Sequence, residues 1–341
     1  MSNKTRVGSS FLYNNKGRRL KTNAKIRRGS TFINIKLNNR YSRYKHYIAK
    51  NNNLKVYWIR HAPSCNNINS GLKNLFVGYN NPHIIKSAIE GSCAMGDKLH
   101  INNIKPDIVF CSPLIRAIQT AILMFPEKFK EGKIRIIPTL FERGFVGNKK
   151  DSKEETISML KDWLQYILTN ELVTKNTNFP NMVNCNKNLK DNELQKKLEK
   201  LYLWYNGRIF KKIKGTTEEK TIIPIANAIS KYSEFIRPRG WNIFSPTVAI
   251  ISHGNYLKKY IRKGMTKLKN NQIFFKDYYF NTEGKIEKKS TKTESSKLFN
   301  NGCKIKRSLF KDSTLKCNFK NREFILPISK KETKKICKRE Y

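Results

Sequence analysis

Three short segments, each apolar over most of its length, constrain the fold of this 341-residue chain more than any other feature. They lie at residues 54–59, 107–111 and 247–251 and are rich in Val, Ile and aromatic residues. Such runs predict strands that are buried on both faces, as in the interior of a parallel sheet. The residue pattern predicts further strands at 31–37, 134–137 and 272–280.

Apolar residues at helical spacing occupy the intervals between these segments. The predicted helices span residues 84–100, 113–125, 152–169, 191–206, 218–236 and 254–263. The first should break near Gly91 and the fifth should be interrupted at Pro224, while residues 170–190 read as irregular. Alternating strands and helices predict an α/β fold, with a mainly parallel central sheet and helices on both faces.

The pattern divides the chain into three parts. Residues 54–280 form the predicted domain, in which residues 144–245 are a helical insertion over one edge of the sheet. Residues 1–53 read as a disordered basic arm, apart from the strand at 31–37. Residues 281–341 are a basic extension with short strands near 305–310 and 323–328, and they form either a tail or edge additions to the sheet.

Each of the three apolar segments ends in chemically active side chains. The first is followed by Arg60 and His61, the second by residues 112–116, which end in Arg116, and the third by His253. The carboxyl ends of parallel strands share one edge of a sheet, so these groups should converge there. Clustered imidazoles and guanidinium groups repel one another unless an anion lies between them, and a phosphoryl group matches fork-shaped Arg donors.

Four sequence blocks around these groups resemble one family. They read RHAPSCNN at 60–67, SPLIRAIQTA at 112–121, LFER at 140–143 and HGNYL at 253–257. In the same order, the histidine phosphatase superfamily (the phosphoglycerate mutase-like family) carries R-H-G-x-S-x-x-N, S-x-x-x-R-A-x-x-T-A, L-x-E-R and H-G-N-x-L. The resemblance covers residues 54–280, and it implies the phosphoglycerate mutase-like fold.

The resemblance also implies a role for each matching residue. His61 would be the nucleophile that becomes phosphohistidine, and Arg60 and Arg116 would hold the phosphoryl oxygens. His253 would donate to the same oxygens, and Glu142 would be the proton donor. The reaction would need no metal and no other cofactor. Five further residues are expected to line the pocket: Asn67, Gly78, Arg143, Gly254 and Asn255.

Several residues depart from the family pattern. Ala62 replaces the Gly that follows the nucleophile, a change that would cost about 1 kcal/mol if the position required a positive φ. The residues after Arg143 lack the Tyr of the mutase branch, and no Arg-Arg pair lies between Glu142 and His253. These absences favour a phosphatase over a phosphoglycerate mutase, which remains the nearer alternative. Glu142 beside Arg143 is also compatible with an ordinary surface ion pair.

The charge of the chain suggests an anionic partner. It holds 69 Lys and Arg against 25 Asp and Glu, a net charge of +44, of which +14 lies in residues 1–53 and +11 in residues 281–341. Such a charge attracts anionic substrates and polyanions. The expected substrate is a phosphorylated small molecule or phosphoprotein. Contact of the basic ends with a polyanion is also expected, and the alternative function is a non-catalytic protein that binds nucleic acid on a phosphatase scaffold.

The seven cysteines are scattered and form no C-x-x-C pair. This spacing argues against a disulfide framework and a zinc site, and it favours a reducing compartment. The chain has no run of about 18 apolar residues and no apolar N-terminal segment, so neither a membrane span nor secretion is expected. An intracellular location follows as the expectation.

Overall fold

A central sheet of six strands organises the protein, whose architecture we describe from a computed structural model. The structure describes residues 23–28, 31–36, 53–68, 81–142, 151–169, 191–205, 216–231, 246–262, 268–280, 285–290, 302–306, 313–319 and 322–338. The irregular segment predicted at 170–190 lies outside these ranges, as does most of the predicted basic arm.

The structure confirms the six strands predicted at 31–37, 54–59, 107–111, 134–137, 247–251 and 272–280, and it adds strands that the sequence did not predict. In chain order they are β1 (Asn23–Arg28), β2 (Thr31–Lys36), β3 (Asn53–Arg60), β4 (Ile108–Cys111), β5 (Ile134–Ile136), β6 (Thr247–Ser252), β7 (Ile273–Phe280), β8 (Ile286–Ser290), β9 (Gly302–Lys306), β10 (Thr314–Phe319) and β11 (Arg322–Pro327). The central sheet has the order β5-β4-β6-β3-β7-β8. Its β5–β4, β4–β6 and β6–β3 pairings are parallel, whereas β7 pairs antiparallel with β3 on one side and with the edge strand β8 on the other.

Helices cover both faces of this sheet, which confirms the predicted α/β fold. They are α1 (Cys65–Ile68), α2 (Lys86–Ile101), α3 (Ile115–Met124), α4 (Pro126–Lys130), α5 (Lys153–Thr169), α6 (Asp191–Lys200), α7 (Glu219–Lys231), α8 (Gly254–Tyr256, continued by a π-helical turn at Leu257–Ile261) and α9 (Lys330–Lys338). Side chains of α2 to α6 form one apolar core with one face of the sheet. Helix α7 and the π-helical turn pack on the other face.

Two predicted helix breaks are absent. Helix α2 continues through Gly91, where an added Cβ would lie 3.4 Å from the Sγ of Cys317 and 3.5 Å from that of Cys303. These are ordinary contact distances, so the glycine lies where the helix packs against β9 and β10 and does not end the helix. Helix α7 likewise continues through Pro224, although the ring removes one backbone donor.

The described part of the basic ends is more ordered than the sequence suggested. Strands β1 and β2 form an antiparallel hairpin, in which β2 confirms the strand predicted at 31–37 and β1 lies in a part of the arm that was predicted to be disordered. In the C-terminal extension β8 joins the central sheet, which confirms an edge addition there. Strands β9, β10 and β11 form a separate antiparallel sheet. Among the described residues, no helix has the length and apolar character that a membrane crossing requires.

The prediction that the cysteines stay unpaired is wrong for four of them. One disulfide joins Cys65 to Cys337 across 272 residues of sequence, and the other joins Cys303 to Cys317 within the C-terminal sheet. The argument from cysteine spacing for a reducing compartment therefore loses its basis. Spacing along the chain could not reveal these pairs, because tertiary packing alone brings the four thiols together. Cys93 and Cys111 are buried thiols.

Candidate active site

The carboxyl ends of three neighbouring strands bring the predicted reactive groups together. Strand β6 lies between β3 and β4, so the residues that follow these strands meet at one edge. The backbone N–H of His61 donates to the carbonyl oxygen of Ser252 at 2.9 Å, and that of Ser112 donates to the carbonyl oxygen of Ile251 at 3.0 Å. These bonds keep the ends of the three strands side by side. The ring centroids of His61 and His253 are 5.1 Å apart.

The surroundings of His61 define which of its nitrogens carries the hydrogen. Nδ1 lies 2.6 Å from the carbonyl oxygen of Ala62, which can only accept, so Nδ1 is the protonated nitrogen. The guanidinium Nε–H of Arg116 points at Nε2 from 3.4 Å. His61 is thus held as a neutral ring whose Nε2 lone pair faces the site. Among the described non-glycine residues, a positive φ occurs only at Asn81, Asn103 and Asn271, so the strain considered for Ala62 does not arise.

The orientation of His253 depends on a serine. Nε2 of its buried ring lies 2.7 Å from the hydroxyl oxygen of Ser112, which also accepts a hydrogen bond from the backbone N–H of Leu114 at 3.3 Å. Within the described part of the chain, Nδ1 of His253 makes no hydrogen bond. If the Ser112 hydroxyl donates to Nε2, the proton of the neutral ring must lie on Nδ1, which faces the site.

Two buried arginines flank the histidines. The Arg60 side chain donates to the carbonyl oxygen of Leu268 and packs on Gly254, where an added Cβ would lie only 3.0 Å from the Arg60 Nε. Gly254 therefore allows the guanidinium group to approach the start of α8. Burial lowers the pKa of Arg116 to about 10, an effect that the charge of Glu142 partly offsets, so both arginines keep their charge at neutral pH.

A carboxylate already lies between a guanidinium group and a histidine ring of the site. Oε2 of Glu142 lies 3.2 Å from a guanidinium nitrogen of Arg116 and 3.6 Å from Nδ1 of His253. Oε1 accepts a hydrogen bond from the backbone N–H of Asn255 at 3.3 Å. The side chain of Glu142 is only 12% exposed, so the alternative of an ordinary surface ion pair does not describe it. The geometry suits an anion at this position.

The remaining predicted residues have mixed outcomes. Oδ1 of Asn67 accepts from the backbone N–H of Ser64 at 2.9 Å and from its hydroxyl at 3.1 Å, so this amide oxygen closes the turn that follows His61. Gly78 and Arg143 lie outside the described residues. No group of three or more His, Cys, Asp or Glu side chains able to hold a metal occurs among the residues that the structure describes.

Sequence reasoning gave no role to three side chains that support the site. Ser112 orients His253, and Thr120 accepts from the backbone N–H of Ala62 at 2.9 Å while donating to the Arg116 carbonyl at 2.6 Å. Both belong to the block at 112–121, so their place in that block could have identified them from the sequence. Asn270 donates to the carbonyl oxygen of His61 at 3.0 Å, and no motif pointed to it.

Burial and neighbouring positive charge both lower the pKa of His61 and of His253. Burial and the nearby arginines hold the pKa of His61 well below its usual value, although the hydrogen bond to Ala62 opposes the shift. The same factors, with His61 itself, lower the pKa of His253. Both rings therefore stay neutral at physiological pH, and the lone pair on Nε2 of His61 is available to react.

These pKa shifts predict how stability depends on pH. An unfolded histidine titrates near pH 6.5, above the folded value, so the unfolded chain binds more protons as the pH falls below about 6.5. The contribution of these rings to stability is therefore complete above that pH and is lost below it. Urea unfolding between pH 8 and 5 should show a steeper loss for the wild type than for His61→Gln/His253→Gln. If the free energy of unfolding of the two proteins fell in parallel with pH, the lowered pKa values of the two histidines would be contradicted.

Comparisons with known proteins yield structural neighbours but no family match. No family model and no curated protein matches the chain. Similar solved structures include a phosphoserine phosphatase from Entamoeba histolytica in complex with 3-phosphoglyceric acid (14% identity, 70% of this chain and 98% of that one, TM-score 0.32). Others are an alpha-ribazole phosphatase from Shigella flexneri (16%, 67% and 92%, 0.30) and an ecdysone phosphate phosphatase from Bombix mori in complex with tungstate (12%, 65% and 88%, 0.33).

These sequence identities and TM-scores are low. The four sequence blocks meet at the candidate site. The blocks containing His61, Arg116, Glu142 and His253 are far apart in sequence, yet their side chains lie within one buried cluster. In the order of these blocks and in the arrangement of these side chains, the chain resembles the histidine phosphatase superfamily.

Proposed function

We propose that this protein hydrolyses phosphate monoesters through a phosphohistidine intermediate on His61. The observation that carries the proposal is the pairing of two buried, neutral imidazoles, whose ring centroids are 5.1 Å apart, with the charged guanidinium group of Arg116. A neutral imidazole is a nucleophile, and the cation beside it stabilises the charge of a transferring phosphoryl group.

The position of Glu142 indicates where the phosphoryl group would bind. Its carboxylate contacts Arg116 and lies near Nδ1 of His253, two groups that would otherwise face the substrate. A phosphoryl group that binds here would take over these donors, with Arg60 on the other side. Glu142 would then move to the edge of the site, beside the oxygen that leaves.

The first step would transfer the phosphoryl group to the protein. Nε2 of His61 attacks phosphorus, so a P–N bond forms while the bond from phosphorus to the ester oxygen breaks. Arg60 and Arg116 bind the non-bridging oxygens, and His253 donates to them from Nδ1. Glu142, which takes up a proton from solvent when the substrate displaces it from Arg116, transfers that proton to the leaving oxygen, and the product leaves as a neutral alcohol.

The second step would regenerate the protein. The Glu142 carboxylate, now deprotonated, accepts a proton from a water molecule as the water oxygen attacks phosphorus. The P–N bond breaks, inorganic phosphate forms, and His61 returns to its neutral state with the lone pair on Nε2. Each group is restored after one cycle, and the steps use only side chains of this chain and water.

The net charge of the chain indicates an anionic substrate but does not select one chemical class. The chain carries a net charge of +44, which favours substrates with more than one negative charge. A sugar phosphate, an inositol phosphate, a nucleotide or a phosphoprotein meets this condition. Phosphoglycerate mutase-type transfer is the alternative, and the proposed polyanion contact of the basic ends is a separate property.

A panel of phosphomonoesters from these four classes tests the proposal. We expect at least one class to release inorganic phosphate, at a rate that a chelator of divalent cations does not change. The panel should include 2- and 3-phosphoglycerate, since their interconversion without net phosphate release would identify a mutase. Absence of both phosphate release and interconversion across the panel would contradict the proposed function.

A further inference from the structure

The segment from Leu268 to Gln272 contacts the backbone of both catalytic residues at the end of β3. Asn270 Nδ2 donates to the carbonyl oxygen of His61 at 3.0 Å. The backbone N–H of Asn271 donates to the carbonyl oxygen of Arg60 at 3.1 Å and lies 3.4 Å from that of His61. The carbonyl groups of Arg60 and His61, at the end of β3, are therefore both hydrogen-bonded by this one short segment.

The side-chain amide of Asn270 joins the two ends of the loop that carries the nucleophile. Besides its bond to His61, Nδ2 lies 3.5 Å from Oδ1 of Asn67, the oxygen that closes the turn with Ser64. Asn270 is only 8% exposed, so little water is available to replace these bonds. A side chain that presents two hydrogens from one nitrogen is suited to this position.

The C-terminal extension determines where Asn270 lies. Its backbone carbonyl accepts a hydrogen bond from the N–H of Cys303 in β9 at 2.7 Å. Gly302 has a φ of 136°, and a Cβ there would lie 2.8 Å from the Asn270 carbonyl oxygen, so only glycine permits this approach. Cys303 is in turn bonded to Cys317 in β10, which fixes β9 within the C-terminal sheet.

We propose that Asn270 is a positioning residue for His61 and that strand β9 of the C-terminal extension holds it in place. The inference rests on the proposed function, since it concerns how the nucleophile is aimed. Attack on phosphorus requires the nucleophile within a narrow range of distance and angle, and a shift of about 1 Å can cost 100-fold in rate. A catalytic loop anchored through its own backbone carbonyl is protected from such a shift.

Two substitutions test this role. Asn270→Ala removes the amide, and Asn270→Asp keeps its shape but has no hydrogen to donate to His61 or Asn67. We expect both to slow formation of the phosphoenzyme in a single turnover by about 10- to 100-fold, with KM nearly unchanged. Asn318→Asp, the same chemical change at a half-buried position of β10, is the matched control and should retain the wild-type rate.

The outcomes separate this inference from the proposed function. If the wild type forms no phosphoenzyme with any substrate, the proposed function fails. If the wild type forms it and both Asn270 variants form it at the same rate, the positioning role alone is overturned. A lower melting temperature with an unchanged single-turnover rate would also overturn it, since that result describes a purely structural side chain. If one variant does not fold, the other decides between these outcomes.

Discussion

Replacing His61 by Gln is expected to reduce turnover by about four to six orders of magnitude, the range found when a nucleophile is removed from an enzyme with a covalent intermediate. The amide side chain has no lone pair that can form a stable bond to phosphorus. Wild-type protein quenched during turnover with a substrate labelled in its phosphoryl group should retain the label, in a bond that is labile to acid and stable to base. The variant should retain none.

The control for this experiment is another histidine. His100, at the exposed end of α2, lies away from the site, and His100→Gln should keep both turnover and the labelled intermediate. Substrate affinity should change little in His61→Gln, because Arg60, Arg116 and His253 remain. Near-normal turnover of the His61 variant, or label that persists in it, would show that phosphoryl transfer does not pass through this ring.

Loss of the Cys65–Cys337 disulfide is expected to lower the free energy of unfolding by about 2–5 kcal/mol. The bond joins two buried residues 272 positions apart, so it restricts a large part of the unfolded chain. Urea unfolding of the oxidised wild type and of Cys65→Ser/Cys337→Ser should show the difference. Reductant should destabilise the wild type more than the double variant, which retains only the Cys303–Cys317 bond.

A thiol count provides the direct check of both disulfides. Of the seven cysteines, four are paired, so unfolded and unreduced protein should react at no more than three thiols. Reduction before labelling should raise the count to seven. Seven reactive thiols without reduction would show that the bonds do not form. Because α1 begins at Cys65, four residues after His61, reduction is also expected to loosen the loop that contains His61.

Local sequence signals were sufficient for the frame of the fold. The apolar run at 54–59 became the central strand β3, and the runs at 107–111 and 247–251 became β4 and β6, because buried strands are recognisable from their own residues. The same reasoning misjudged Gly91 and Pro224, which it treated as helix breakers. Gly91 packs against Cys303 and Cys317 of the C-terminal sheet, a tertiary contact that no local pattern contains.

The candidate site divides in the same way. His61, Arg116, Glu142 and His253 were identified from their blocks, and the structure brings their side chains into one cluster. Asn270 was missed, since a single Asn in a polar loop carries no signal of its own. Its importance comes from two hydrogen bonds, to His61 and from Cys303, that join residues more than 30 positions apart.

The amino-acid sequence by itself therefore determined the buried strands of the central sheet, the order of the four blocks and the chemical types of the reactive side chains, because each depends on residues close together in the chain. Only the tertiary structure decided the neutral state of the two histidines, the contact of Glu142 with Arg116, the two disulfides and the attachment of the C-terminal extension to the loop that carries His61. Those features depend on burial and on distances between remote residues, and both exist only once the chain has folded.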